Sequence, residues 1–199
     1  MPQYWTSLLN PNAPWQTASG TALATAATAT ISPEGAGGTG DDPQILTWWQ
    51  GLVIRVTARG VYTSSATATN LTFALWAAAS GTAASGGVSL ATTGALPITT
   101  TALTGLWWKL EALIQCRAVA QGTATASLYT AGEIQLQTAT PTAGVANLTV
   151  WPMPAASGPT AASADTTIAH TLGLVATLSQ VTGSPSVTCT QITHEIVSG

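Results

Sequence analysis

Charge is what this sequence has least of. Lysine, arginine, aspartate and glutamate make up 6% of its 199 residues, against about 25% in typical soluble domains. Lys plus Arg number four and Asp plus Glu seven, a formal net charge of −3 at pH 7. Four cations cannot build the basic patch that neutralises phosphates, so DNA and RNA are not expected partners. Cysteine is scarce too. Cys116 and Cys189 fall in separate strand-like segments, too few for a disulfide framework, and read as reduced core residues, the alternative being an inter-strand disulfide. Long apolar runs are missing, because Thr, Ser and Gly interrupt every window well before the roughly 20 residues of a membrane span. Met1-Pro2-Gln3-Tyr4-Trp5 lacks the basic and apolar regions of a secretory signal, so no membrane partner is expected. Intrinsic disorder does not fit either, since apolar residues reach 46% while net charge stays low.

What is present is alternation with a period of two. In Leu106-Trp107-Trp108-Lys109-Leu110-Glu111-Ala112-Leu113-Ile114-Gln115-Cys116-Arg117, Leu106, Trp108, Leu110, Ala112, Ile114 and Cys116 share one face. Trp107, Lys109, Glu111, Gln115 and Arg117 share the other, with Leu113 the exception. The same pattern puts Leu52, Ile54, Val56 and Ala58 opposite Arg55, Thr57 and Arg59, and puts Leu71, Phe73 and Leu75 opposite Trp76. Further strands are expected at 20–31, 88–91, 123–138, 147–151 (ending at Pro152), 165–180 and 186–197. In the segment 165–180, Ile168, Leu172, Leu174, Ala176 and Leu178 form the inward face. Eight to nine strands and no helical periodicity predict an all-β fold. We read it as an antiparallel two-sheet β-sandwich wound as a jelly roll, spanning 18–199 behind an extended N-terminal arm, residues 1–17.

Catalytic chemistry finds little support in the sequence. His194 and Glu195 are adjacent on a strand and point to opposite faces, so they cannot chelate one metal together, and His194 reads as a hydrogen-bonded strand histidine. His170 with Asp165 lacks a nucleophile elbow. Asp41-Asp42 lacks the further oxygen ligands of a calcium loop. Glu111 and Glu133 could face each other as a glycosidase pair would, but nothing marks a cleft, and Glu111 is expected to pair with Lys109 or Arg117. No catalytic, metal-binding or cofactor-binding residue is assigned, and no cofactor is expected.

The tryptophans need a different explanation. Within each of Trp48-Trp49 and Trp107-Trp108 one ring is expected to point inward and one outward. One lysine cannot guard the edges of a nine-strand sandwich, so much of the surface is expected to be covered by other subunits. Trp5, Trp15, Trp48, Trp76 and Trp107, with Arg55 and Arg59, are the candidate interface residues. The alternative use of exposed tryptophans is to stack on sugars, as in a carbohydrate-binding module that uses Trp76, Trp107 or Trp151 on a host-surface glycan.

At Gly51-Leu52-Val53-Ile54-Arg55-Val56-Thr57-Ala58-Arg59-Gly60, at Trp108-Lys109-Leu110-Glu111-Ala112-Leu113-Ile114-Gln115-Cys116-Arg117-Ala118 and at Asp165-Thr166-Thr167-Ile168-Ala169, the chain resembles a family of small structural proteins of tailed bacteriophages. The resemblance covers roughly residues 19–197 and leaves Trp5 and Trp15 outside it. It implies a β-sandwich virion protein, a capsid decoration (cement), minor capsid or head-fibre component that is often trimeric, with no active-site residues to carry over. The expected partners are the major capsid protein and two further copies of the chain. The expected location is the capsid exterior, after synthesis in the host cytoplasm. Residues 1–17 and 33–43 are the expected contacts with the shell, and a tail-fibre or baseplate component is the alternative within the same class.

Overall fold

The computed structural model describes residues 28–31, 44–45, 48–78, 87–121, 126–140, 147–155, 158–159, 161–168 and 170–198. The expected N-terminal arm with Trp5 and Trp15, and the whole of the 33–43 loop with Asp41 and Asp42, lie outside them. Among the described residues there are twelve strands and no helix. Sheet I contains β1 (Thr28–Thr30), β2 (Gln44–Ile45), β4 (Asn70–Ala78), β5 (Gly87–Thr92), β6 (Leu96–Pro97) and β11 (His170–Leu178). Sheet II contains β3 (Val53–Thr63), β7 (Leu106–Ala118), β8 (Ser127–Gln137), β9 (Leu148–Met153), β10 (Ala161–Ala162) and β12 (Ser186–Ser198).

Every pairing is antiparallel. The strand order is β1-β11-β4-β5 in sheet I and β10-β8-β7-β3-β12 in sheet II, with β9 also beside β8. The two sheets pack face to face as a β-sandwich. The order in sheet II makes β7, β8 and β9 a meander within one layer, and these orders do not by themselves establish a jelly-roll winding.

The core sits where alternation places it. Ile54, Val56, Ala58 and Tyr62 of β3 and Leu106, Trp108, Leu110, Ile114 and Cys116 of β7 are buried from one sheet. Leu71, Phe73 and Leu75 of β4 and Leu172, Leu174 and Leu178 of β11 are buried from the other. At about 25 cal/mol per Å² of apolar surface removed from water, such side chains contribute roughly 1.5–3 kcal/mol each. The Tyr62 hydroxyl keeps its hydrogen bond by donating to the Gln137 carbonyl at 2.5 Å, and burial pushes its pKa up to about 12.

Two expectations need correction. Ile168 is not on the inward face of a strand starting at 165; it is exposed, and β11 begins only at His170. The cause is local: the Asp165 carboxylate accepts from the Thr167 amide at 3.0 Å and from its hydroxyl at 2.5 Å, closing a turn that precedes the strand. In addition, β9 runs through Pro152 instead of stopping there. Its described pairing is to β8 alone, so a proline without an N–H is tolerated on its open side.

Candidate functional site

The outer face of sheet II is the candidate. Residues directly opposite each other on neighbouring strands share a face, and register therefore orders its side chains into rows. One row runs Val150, Gln135, Lys109, Arg59, Gln191 across β9, β8, β7, β3 and β12. The next runs Pro152, Glu133, Glu111, Thr57, Thr193, and a third runs Ala131, Leu113, Arg55, Glu195. On the other side of the Lys109 row, Leu148 stands opposite Gln137 and Trp107 opposite Val61, and the Gln137 side-chain oxygen accepts from the Trp107 amide at 3.2 Å.

All four cations of the chain are on this one face. Arg55 donates to Glu195 at 2.9 Å and Lys109 meets its strand neighbour Glu111 at 3.0 Å. Arg59 donates through Nε to the Gln191 side-chain oxygen at 2.5 Å, and Arg117 lies over the Tyr129 ring at 4.6 Å. These groups are substantially exposed, so each ion pair is worth about 0–1 kcal/mol and solvates the face more than it holds the fold together. The same face carries five of the eight exposed large hydrophobic residues found among the described residues: Val61, Trp107, Leu113, Leu148 and Val150. Trp107 and Val61 are cross-strand partners, 37% and 39% exposed.

Of the candidate interface residues, the fold brings Trp107, Arg55 and Arg59 together on this face. Trp76 is outward but on sheet I, at the opposite side of the sandwich; it is half-buried, and its indole N–H is buried without a hydrogen-bond partner. Trp48 is a correction. Its ring is buried, 4% exposed, because its indole N–H donates to His170 Nδ1 at 3.1 Å, and Trp49 is the outward member of the pair. Trp151 also departs from the outward role given to it. It is partly buried against the core, on the inward parity of β9 opposite Ile134. Trp5 and Trp15 lie outside the described residues. The sequence reading did not name Lys109, Val61, Val150, Gln191 or Thr193 as part of one site. Parity could have placed each of them outward, whereas their row depends on register, which only the fold supplies.

The histidines are placed away from this face. His170 accepts from Trp48, and the Ile168 carbonyl lies 3.0 Å from the same ring nitrogen; burial lowers its pKa against the opposing effects of that carbonyl and Asp165. His194 is buried on the inner side of β12 while Glu195 faces out, as alternation requires. Contrary to the expectation of a hydrogen-bonded ring, both His194 nitrogens are without a partner, and burial lowers its pKa to about 4. Glu111 and Glu133 stand directly opposite each other on neighbouring strands, side by side on an open face instead of across a cleft. Among the described residues no group of three or more His, Cys, Asp or Glu is placed to hold a metal ion. No helix of the described residues is long and apolar enough to cross a membrane. No family model, curated protein or solved structure matches the chain.

Proposed function

We propose that the chain is a virion structural protein, a capsid decoration protein that binds the outside of a phage head as a trimer and stabilises the shell. The observation that carries this reading is the outer face of sheet II, where every cation of a charge-poor chain stands among five exposed large hydrophobic side chains. Arginine and tryptophan interleaved with aliphatic residues on one sheet face are the composition of a protein-binding surface. The resemblance of its strand motifs to those of phage structural proteins is what points this reading to a capsid partner. Strand β12, at the edge of sheet II among the described residues, adds support: over thirteen residues it carries no lysine and no proline, the usual guards of a free edge. Bridging neighbouring capsid subunits, such a protein contributes binding free energy that exists only in the assembled particle.

Light scattering on the purified chain tests the oligomer, with a trimer at about three times 20.0 kDa expected. Cosedimentation with expanded capsids that lack the protein tests the partner. A monomer that ignores capsids overturns the reading.

A second reading rests on Trp107, which is 37% exposed on the outer face of sheet II, where an indole can stack on a sugar. In that case a host-surface glycan quenches Trp fluorescence in a saturable titration, and capsids do not.

A further inference from the structure

Arg59 and Lys109 are directly opposite each other on β3 and β7, a like-charge pair in register. Like charges opposite each other destabilise a sheet, and the arrangement persists only where something offsets it. Lys109 has Glu111 at 3.0 Å. Arg59 has only the neutral Gln191 oxygen, and among the described residues it meets no carboxylate. Between them lies a surface cavity of about 230 Å³ lined by Thr57, Arg59, Lys109, Gln191 and Thr193. The lining contains two cations, two hydroxyls and an amide, and no acidic residue. With Nε committed to Gln191, the guanidinium keeps its Nη donors, and Lys109 keeps two of its three. This is a donor set for one oxyanion, in an open hollow with ample room for a small acidic group and its water.

We propose that this cavity is a carboxylate receptor, occupied by an aspartate or glutamate side chain that a protein partner presents to the outer face of sheet II. A protein source is favoured over a free acid by what surrounds the cavity. Trp107 and Val61 in the next row, with Val150 at the end of the Arg59 row, offer apolar contact that a carboxylate alone cannot use. The neighbouring row of Glu111 and Glu133 has the opposite sign, so the partner carries its acid over Arg59 and no acid one row away. The inference rests on the protein-binding reading of this face, not on the identity of the partner as a capsid.

The test is carried out on the full chain without capsids. The Arg59 Nε–H resonance is followed by NMR during titration with acetyl-Gly-Asp-Gly-amide, with the Asn peptide and glucuronate as parallel arms at constant ionic strength. A saturable shift with the Asp peptide, absent with the Asn peptide and weakened at least about tenfold in Lys109→Gln, is the expected result. Arg59→Gln, followed through the Trp107 indole resonance, should weaken binding equally while the melting temperature stays unchanged. No saturable shift, an equal shift with the Asn peptide, or unchanged binding in both variants overturns the proposal. Saturation by glucuronate alone overturns the protein source. If the Asp peptide binds and capsids do not, the capsid reading fails and the receptor stands.

Discussion

The ring of Phe73 on β4 lies 4.8 Å from the ring of Trp108 on β7, tilted by 46°, so one aromatic pair joins the two sheets. Both are fully buried, and Phe73 is the only phenylalanine in the chain. In a core dominated by Leu, Ile and Ala, this pair fills space between the layers. Phe73→Ala should cost about 3–5 kcal/mol in equilibrium denaturant unfolding. In a double-mutant cycle with Trp108→Leu, Phe73→Leu should show a coupling of roughly 0.5–1.5 kcal/mol. Additive effects would show that the rings merely occupy volume.

Gly60 is the counterpart of that ring. It pairs with Trp108 across β3 and β7, and a Cβ there would lie 2.8 Å from the indole and 1.9 Å from the Thr188 carbonyl oxygen. That same oxygen accepts the Trp108 indole N–H at 3.2 Å. Gly60→Ala should therefore destabilise by at least about 1–3 kcal/mol through overpacking, despite adding a single methyl group. A melting temperature equal to the parent's would contradict this packing.

Most of the layer structure was legible from residue parity. The inward residues of β3, β4 and β7 are those that alternation selects, and the salt bridge of Glu111 with Lys109 follows from two neighbours on one strand face. Leu113, which breaks the pattern, does so because it is outward and 43% exposed, part of the apolar content of the outer face. Less legible was anything set by long-range register or by a hydrogen bond between distant segments. Trp48 is buried through a partner 122 residues away. The opposition of Arg59 to Lys109 needs a β3–β7 register that neither strand encodes alone. The start of β11 was missed because Asp165 spends its carboxylate on a local turn.

The cysteines offer a chemical check. Cys116 and Cys189 are buried thiols outside any disulfide, on β7 and β12, with β3 between these strands. Burial also pushes the Cys116 thiol up, which leaves less thiolate to react. Neither should react with a thiol reagent at pH 8 in the native protein, and both should react at once in denaturant. Prompt native labelling of either would place it outside the core.

On the outer face of sheet II, Trp107→Ala should separate binding from folding. The ring contributes a cross-strand contact with Val61 worth about 0.2–1 kcal/mol, so unfolding stability should fall by no more than that. Assembly or capsid binding should weaken at least about tenfold if the ring anchors an interface, as read by light scattering and cosedimentation. Unchanged association would move the contact surface elsewhere, with Trp76 on sheet I the next candidate.

His194 makes acid stability a test of the core. Its two ring nitrogens are buried and unpartnered, and its pKa falls from an ordinary 6.5 to about 4 in the fold. Between those values the unfolded chain takes up a proton that the folded chain refuses. Stability is therefore fully present above pH 6.5, falls as pH drops toward 4, and levels off below that. At 1.36 kcal/mol per unit the loss is about 3 kcal/mol. His170 is shifted in the same direction and adds to the slope. His194→Leu should flatten most of this dependence. It should also raise stability at neutral pH by roughly 1–3 kcal/mol, because it removes two unsatisfied buried groups. A variant that keeps the parent's slope between pH 6.5 and 4 would assign the proton uptake to another group; one that loses stability at pH 7 would mean the ring nitrogens have a partner.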